Sequence, residues 1–247
     1  MRNPTRKNRN IGTAKQGYGV DNKLRIPGSH DTRAYYERLV QYSKHEVIIN
    51  EHAFLFVVEE TREGVQRVCS IEDIKQIMEQ IPAIDYGELR LIVLRQPKRK
   101  EELLSPVWGR LIYFYEFEND YYPAIILEAV DREGKLKWPK SLSVDDQKEL
   151  ERLKKDRHSF IEDGKYLVAE LLPENVKRTQ LFRTLPHEFG YYVHYLSVVE
   201  RPGTEEEAFE VREQRGDYYF KSIPTVEKEK FAHGYAEKLR GKLCFQR

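Results

Sequence analysis

At 247 residues the chain is long enough for one large domain or two small ones, and 40% hydrophobic with 12% aromatic residues fills a sizeable core despite 34% charge. The longest apolar runs, such as AFLFVV at 53–58, are far too short to cross a bilayer, and no signal-peptide pattern opens the chain. The two cysteines, Cys69 and Cys244, frame no disulfide scaffold, so a soluble, reducing, cytoplasmic setting is expected and a membrane partner is not.

The net charge is only +1, but residues 1–28 carry seven Lys or Arg against one acid, Asp21. That segment has no hydrophobic period and reads as a basic, flexible tail. Contacts to phosphate would be its only link to nucleic acid, which is not the expected partner.

In chain order, SHDTRAYYERLVQYSKHE (29–46) fits a helix, with Asp31 as N-cap and Ala34, Tyr35, Leu39 and Tyr42 at helical spacing. AFLFVVEE (53–60) reads as a strand. SIEDIKQIMEQIP (70–82) reads as a short helix capped by Ser70, with Asp73 at N3 and Pro82 as its stop. Strands follow at 88–96, 109–118 and 121–130, the last two forming a hairpin turned at Asn119-Asp120. Pro123 favours an edge position or strand end for the third of them. Residues 143–160 read as a charged, largely solvated helix and 165–173 as a strand. The rest is helical over 178–199 and 225–243, with a polar loop from 200 to about 217 between them.

Strands early and helices late give an α+β class, with a mixed or antiparallel sheet packed against helices. The domain reading is a tail at 1–28, a sheet-containing part at 29–176 and a helical part at 177–247, with 29–247 forming one compact domain.

On a wheel of about 100° per residue, Leu181, Phe182, Leu185, Phe189, Tyr192, Val193, Leu196 and Val199 share one arc. His187, Tyr191, His194 and Tyr195 share the opposite arc, which suggests a second face on a cleft. Gly190 costs about 1 kcal/mol of helix propensity relative to Ala, so its expected use is to let another backbone pass close.

Residues 187–191, His-Glu-Phe-Gly-Tyr, resemble the H-E-x-x-H helix of zincin metallopeptidases with the second histidine replaced by Tyr191. EKFAHGYA (229–236) is similar to the E-x-x-A-x-x-F-A helix of the glutamate-ligand branch. The resemblance covers two short motifs, and implies zinc held by His187 and Glu229 with Glu188 as general base. Ala232, Tyr235 and Ala236 match the packing positions of the second helix.

Histidines at i and i+4 face one ion from one side of a helix, and the neighbouring Glu takes the proton of the metal-bound water. Tyr191 breaks that scheme, because a phenol titrates near pH 10 and is a poor zinc ligand. His194 lies about 10 Å along the helix, too far to substitute. His233, four residues after Glu229, would complete a His187–Glu229–His233 set, or would only hydrogen-bond nearby. Pro186 should kink the helix or start it.

Three readings follow. The first is a zinc metallopeptidase acting on peptide or protein substrates, with zinc held weakly or not at all because of Tyr191. The second is an inactive pseudopeptidase that binds peptides or proteins, and the third an α+β domain with an accidental motif. His30, His45, His52 and His158 show no ligand spacing. No Gly-rich phosphate loop, Cys-x-x-Cys pair or G-x-S-x-G elbow occurs.

Overall fold

The computed structural model describes residues 37–97, 108–204 and 206–245, which fall in one unit, Tyr35–Arg247. The basic tail, and residues 29–36 of the helix expected over 29–46, lie outside the described residues. In chain order come β1 (Tyr42–Ile49), β2 (His52–Glu59), β3 (Val65–Gln66), α1 (Ile71–Met78) and β4 (Leu91–Arg95). Next are β5 (Gly109–Phe117), β6 (Asp120–Glu128), β7 (Val130–Asp131), β8 (Lys135–Pro139), α2 (Val144–Lys155), β9 (Ile161–Asp163) and β10 (Tyr166–Glu170). From there the chain is helical. α3 (Pro173–Thr179), a π-helical stretch Gln180–Thr184, α4 (Leu185–Tyr195) and a second π-helical stretch Leu196–Glu200 run on without a break. α5 (Phe209–Glu213) with the π-helical stretch Gln214–Phe220, and then α6 (Thr225–Phe245), complete the chain.

The fold is α+β, as expected. Its main sheet is mixed, in the order β1-β2-β4-β6-β5, with β2, β4 and β6 parallel and the two outer strands antiparallel to their neighbours. β4 is buried along its whole length, which is why it runs Leu-Ile-Val-Leu before Arg95, itself buried in an ion pair with Glu128 at 2.8 Å. Its alternation still sorts the core. Ile92 and Leu94 join Phe54, Phe56, Ile125 and Leu127 beneath α1 and α4, whereas Leu91 and Val93 join Val57, Ala124 and Ile126 on the other side. Two smaller sheets, β8-β10-β9 and β3-β7, were not anticipated.

The expected Ser70 cap is present, and a second cap at Ser143 joins it. Ser70 with Asp73 and Ser143 with Asp146 both form complete capping boxes at the starts of α1 and α2. The expected helix over 29–46 is corrected over its described part, since residues 38–41 are not helical and 42–46 lie in β1. Asn50 and Glu51 adopt φ of 47° and 65° and close a tight hairpin onto β2, so pairing from Tyr42↔Glu59 to Ile49↔His52 overrides the short helical stripe. The β5–β6 turn likewise falls at Glu118-Asn119 (φ 53° and 70°), one residue before the expected pair.

Pro123 does not mark an edge strand. β6 lies between β4 and β5, and Pro123 sits where the β5 register shifts, between the pairs Tyr115↔Tyr122 and Ile112↔Ala124. Pairing with β4 begins only at Ala124, so the missing N–H removes no ladder bond there. The expected polar loop from 200 to about 217 contains α5 and most of a π-helical stretch. None of the residues of α5 is buried, so no apolar stripe betrayed it in the sequence.

Pro186 neither starts nor breaks its helix. The π-helical stretch before it, with the Leu185 amide donating to the Gln180 carbonyl five residues back, widens the turn that the proline ring would otherwise crowd. Gln180 also fixes this turn to the sheet, its amide donating to the carbonyls of Trp108 (2.9 Å) and Glu128 (2.7 Å). No helix among the described residues is long and apolar enough to cross a membrane.

Candidate metal centre

α4 buries Leu185, Phe189 and Tyr192 against the sheet, as the wheel indicated. Its other side meets α6. A Cβ at Gly190 would come within 2.7 Å of Ala232 Cα and 2.8 Å of its carbonyl oxygen, so glycine is what lets the two backbones approach. Ala232 and Ala236 are buried at this contact, and the Tyr235 hydroxyl donates to Asp85 at 2.9 Å.

That close crossing brings His187, Glu229 and His233 together. One ligand atom from each lies within 4.8 Å of the other two. Glu229 Oε2 stands 3.4 Å from His187 Nε2 and 3.5 Å from His233 Nε2. Both distances exceed a good hydrogen bond. They match the spacing between ligands on a tetrahedral ion, about 3.3 Å for bonds of 2.0–2.1 Å. Two imidazoles and a carboxylate are also a donor set suited to zinc, so the residues present fit the metal.

Tyr191, in the place of the motif's second histidine, does not join the set. Its hydroxyl donates to Glu229 Oε1 at 2.6 Å, while Oε2 faces the two histidines. Burial first, and then the Glu229 carboxylate, push the Tyr191 phenol above its ordinary range, so it remains a donor.

Burial drives His187 down to about 3, with His233, Arg152 and Arg183 adding to the effect. His233 is also lowered, mainly by burial and by Arg152, against Glu229. Neutral imidazoles keep a lone pair available for a metal. His187 departs from the usual ligand pattern in one respect: its Nδ1 is buried without a hydrogen-bond partner.

Glu188 points toward β5 rather than α6. Its Oε2 accepts the Leu111 amide at 2.8 Å. Burial raises its carboxyl to about 8, with Glu229 adding to the effect and the Leu111 amide and Arg110 opposing it. A carboxyl tuned close to neutrality is suited to exchanging a proton there.

His187, Glu188, Glu229 and His233 line one cavity of about 620 Å³. Sequence reasoning missed most of its other walls: Trp108 beside β5, Leu136 and Trp138 on β8, Glu149 and Arg152 on α2, and Arg183. The one legible signal was Arg183, four residues before His187. His194 takes no part, and its ring stacks on Phe231 at 4.4 Å. His45 bonds Ser43, His52 the Leu89 carbonyl and His158 Thr179, while His30 lies outside the described residues.

Comparison with protein-family models, with curated proteins and with solved structures finds no match to this chain.

Proposed function

We propose that this protein is a zinc-dependent hydrolase of peptide bonds, with His187, Glu229 and His233 as the metal-holding residues and Glu188 as general base. The observation that carries the reading is the convergence of three ligand atoms within 4.8 Å in a cavity that Glu188 also lines. The zincin resemblance of 187–191 and 229–236 adds support to it. A bound zinc would supply an acidic water and an electrophile for the carbonyl oxygen.

The chain's own groups divide the remaining work. Glu188 Oε2 is held by the Leu111 amide, and Oε1 carries no hydrogen bond among the described residues, so Oε1 is the oxygen that would take and return a proton. Tyr191 orients Glu229 through Oε1 and leaves Oε2 facing His187 and His233. β5 is the outer strand of its sheet among the described residues, and an extended substrate laid along such an edge would place its carbonyls beside Glu188. The proposal includes a reducing, cytoplasmic setting, in keeping with Cys69 as a buried free thiol.

The second reading is a peptide- or protein-binding pseudopeptidase, favoured by the Tyr191–Glu229 hydrogen bond, which satisfies the carboxylate without any ion. Zinc content of the purified protein, with chelator-sensitive cleavage of a peptide library, decides between them. Stoichiometric zinc with cleavage supports the enzyme. A metal-free protein that binds peptides and never cleaves them supports the module.

A further inference from the structure

The cavity holding the proposed metal residues has a cationic wall. Arg152 comes from α2 and Arg183 from the π-helical stretch before α4. Arg183 is committed to its surroundings. Its Nε donates to Asp156 at 2.8 Å and its Nη1 pairs with Glu149, while Nη2 is buried without a partner. Because Glu149 is engaged by Arg183, Arg152 is left with one loose contact to the same carboxylate at 3.5 Å, and its side chain is 35% exposed. The charges of both guanidinium groups are felt at His187 and His233.

Guanidinium groups held beside a metal site would normally be unfavourable, since they repel the cation. Two guanidinium groups, Arg152 and Arg183, share the cavity with three carboxyl groups, Glu149, Glu188 and Glu229, and a divalent ion would leave the cavity with a positive excess. An anion from the substrate offsets that excess. Trp108, Leu136, Trp138 and Leu153 supply apolar surface in the same cavity.

We propose that Arg152, backed by Arg183, forms an anion subsite that receives a carboxylate of the peptide substrate close to the bond being cut. This rests on the metal reading above and narrows its substrate class to peptides carrying a carboxylate near the scissile bond. The carboxylate comes either from the chain terminus or from an acidic side chain. A charge-assisted pair between guanidinium and carboxylate is the strong, geometrically selective form of this contact.

The chain's two tryptophans, Trp108 and Trp138, both line the cavity, so intrinsic fluorescence reports its occupancy directly. The probes are acetyl-Leu-Leu as free acid, acetyl-Leu-Leu amide and acetyl-Glu-Leu amide, titrated into zinc-treated Glu188→Gln protein so that nothing turns over. One of the two anionic peptides is expected to bind about 10-fold tighter than the neutral amide, the low end for a hydrogen bond to a charged group. Which one does so identifies the source of the carboxylate. Adding Arg152→Gln should abolish the preference, and Arg152→Glu should reverse it, while the neutral amide binds as before and so shows that the cavity is intact. Equal binding of all three peptides, or a preference that survives both substitutions, overturns the subsite. Zinc titration of the same samples reports the metal reading separately. Absence of zinc binding with the charge preference present would overturn the metal proposal and keep Arg152 only as the anion site of a peptide-binding cavity.

Discussion

The Tyr191 hydroxyl donates to Glu229 Oε1 over 2.6 Å, and the other carboxylate oxygen faces both His187 and His233. A residue that looks like a lost ligand in the motif therefore sits where it can aim a ligand. Such supporting contacts typically contribute about 10–100-fold to metal affinity. Tyr191→Phe, which removes only the hydroxyl, is expected to weaken zinc binding by about 10-fold in calorimetric titration. Unchanged affinity would make the hydroxyl dispensable.

Glu188→Gln keeps an oxygen for the Leu111 amide but cannot accept a proton. Peptide cleavage should fall by about 10²–10⁴-fold, the usual cost of losing a general base, with zinc content unaltered. Cleavage at the parental rate would remove Glu188 from the chemistry.

Gly190→Ala would place a methyl group 2.7 Å from Ala232 Cα, against backbone that cannot move without shifting α6. Overpacking of this kind costs about 1–3 kcal/mol, more than the roughly 1 kcal/mol gained in helix propensity. A lower melting temperature and weaker zinc binding are expected together, because Glu229 and His233 ride on the displaced helix. A more stable variant with full zinc affinity would show that the contact is slack.

His158 is buried with Nε2 against Thr179 Oγ1 at 3.0 Å, and burial, helped by Arg183 and opposed by Asp156, lowers its pKa. Its unfolded form, near 6.5, takes up a proton before the folded form does. Its contribution to stability is therefore present above about pH 6.5 and lost as pH falls through the depressed folded value. His187, His194 and His233 are lowered too and act with the same sign. The stability difference between wild type and His158→Gln, measured by urea unfolding, should shrink from pH 7 to pH 5. A difference constant over that range would contradict the assignment.

Features governed by neighbours in sequence were legible from the residues alone. The capping box at Ser70, the strands around 53–60, 109–118 and 121–130, and the apolar stripe of α4 depend on local hydrogen bonding and on residue types close in sequence. Gly190 announced a close backbone approach because it is costly in a helix without one. Hairpin closure at Asn50-Glu51, by contrast, turned the end of an apparent helix into β1, because cross-strand pairing outweighed a short helical stripe. The centre itself was decided by distant segments. Leu111 reaches Glu188 across 77 residues and Tyr191 reaches Glu229 across 38. The direction of His233 and the arrival of Arg152, Trp108 and Trp138 in the same cavity follow from how α2, β8 and α6 pack around α4. Periodicity states which face of a helix is buried. Only the packed core states what that face meets, because the contacts that orient a side chain come from whichever element the hydrophobic surface has drawn against it.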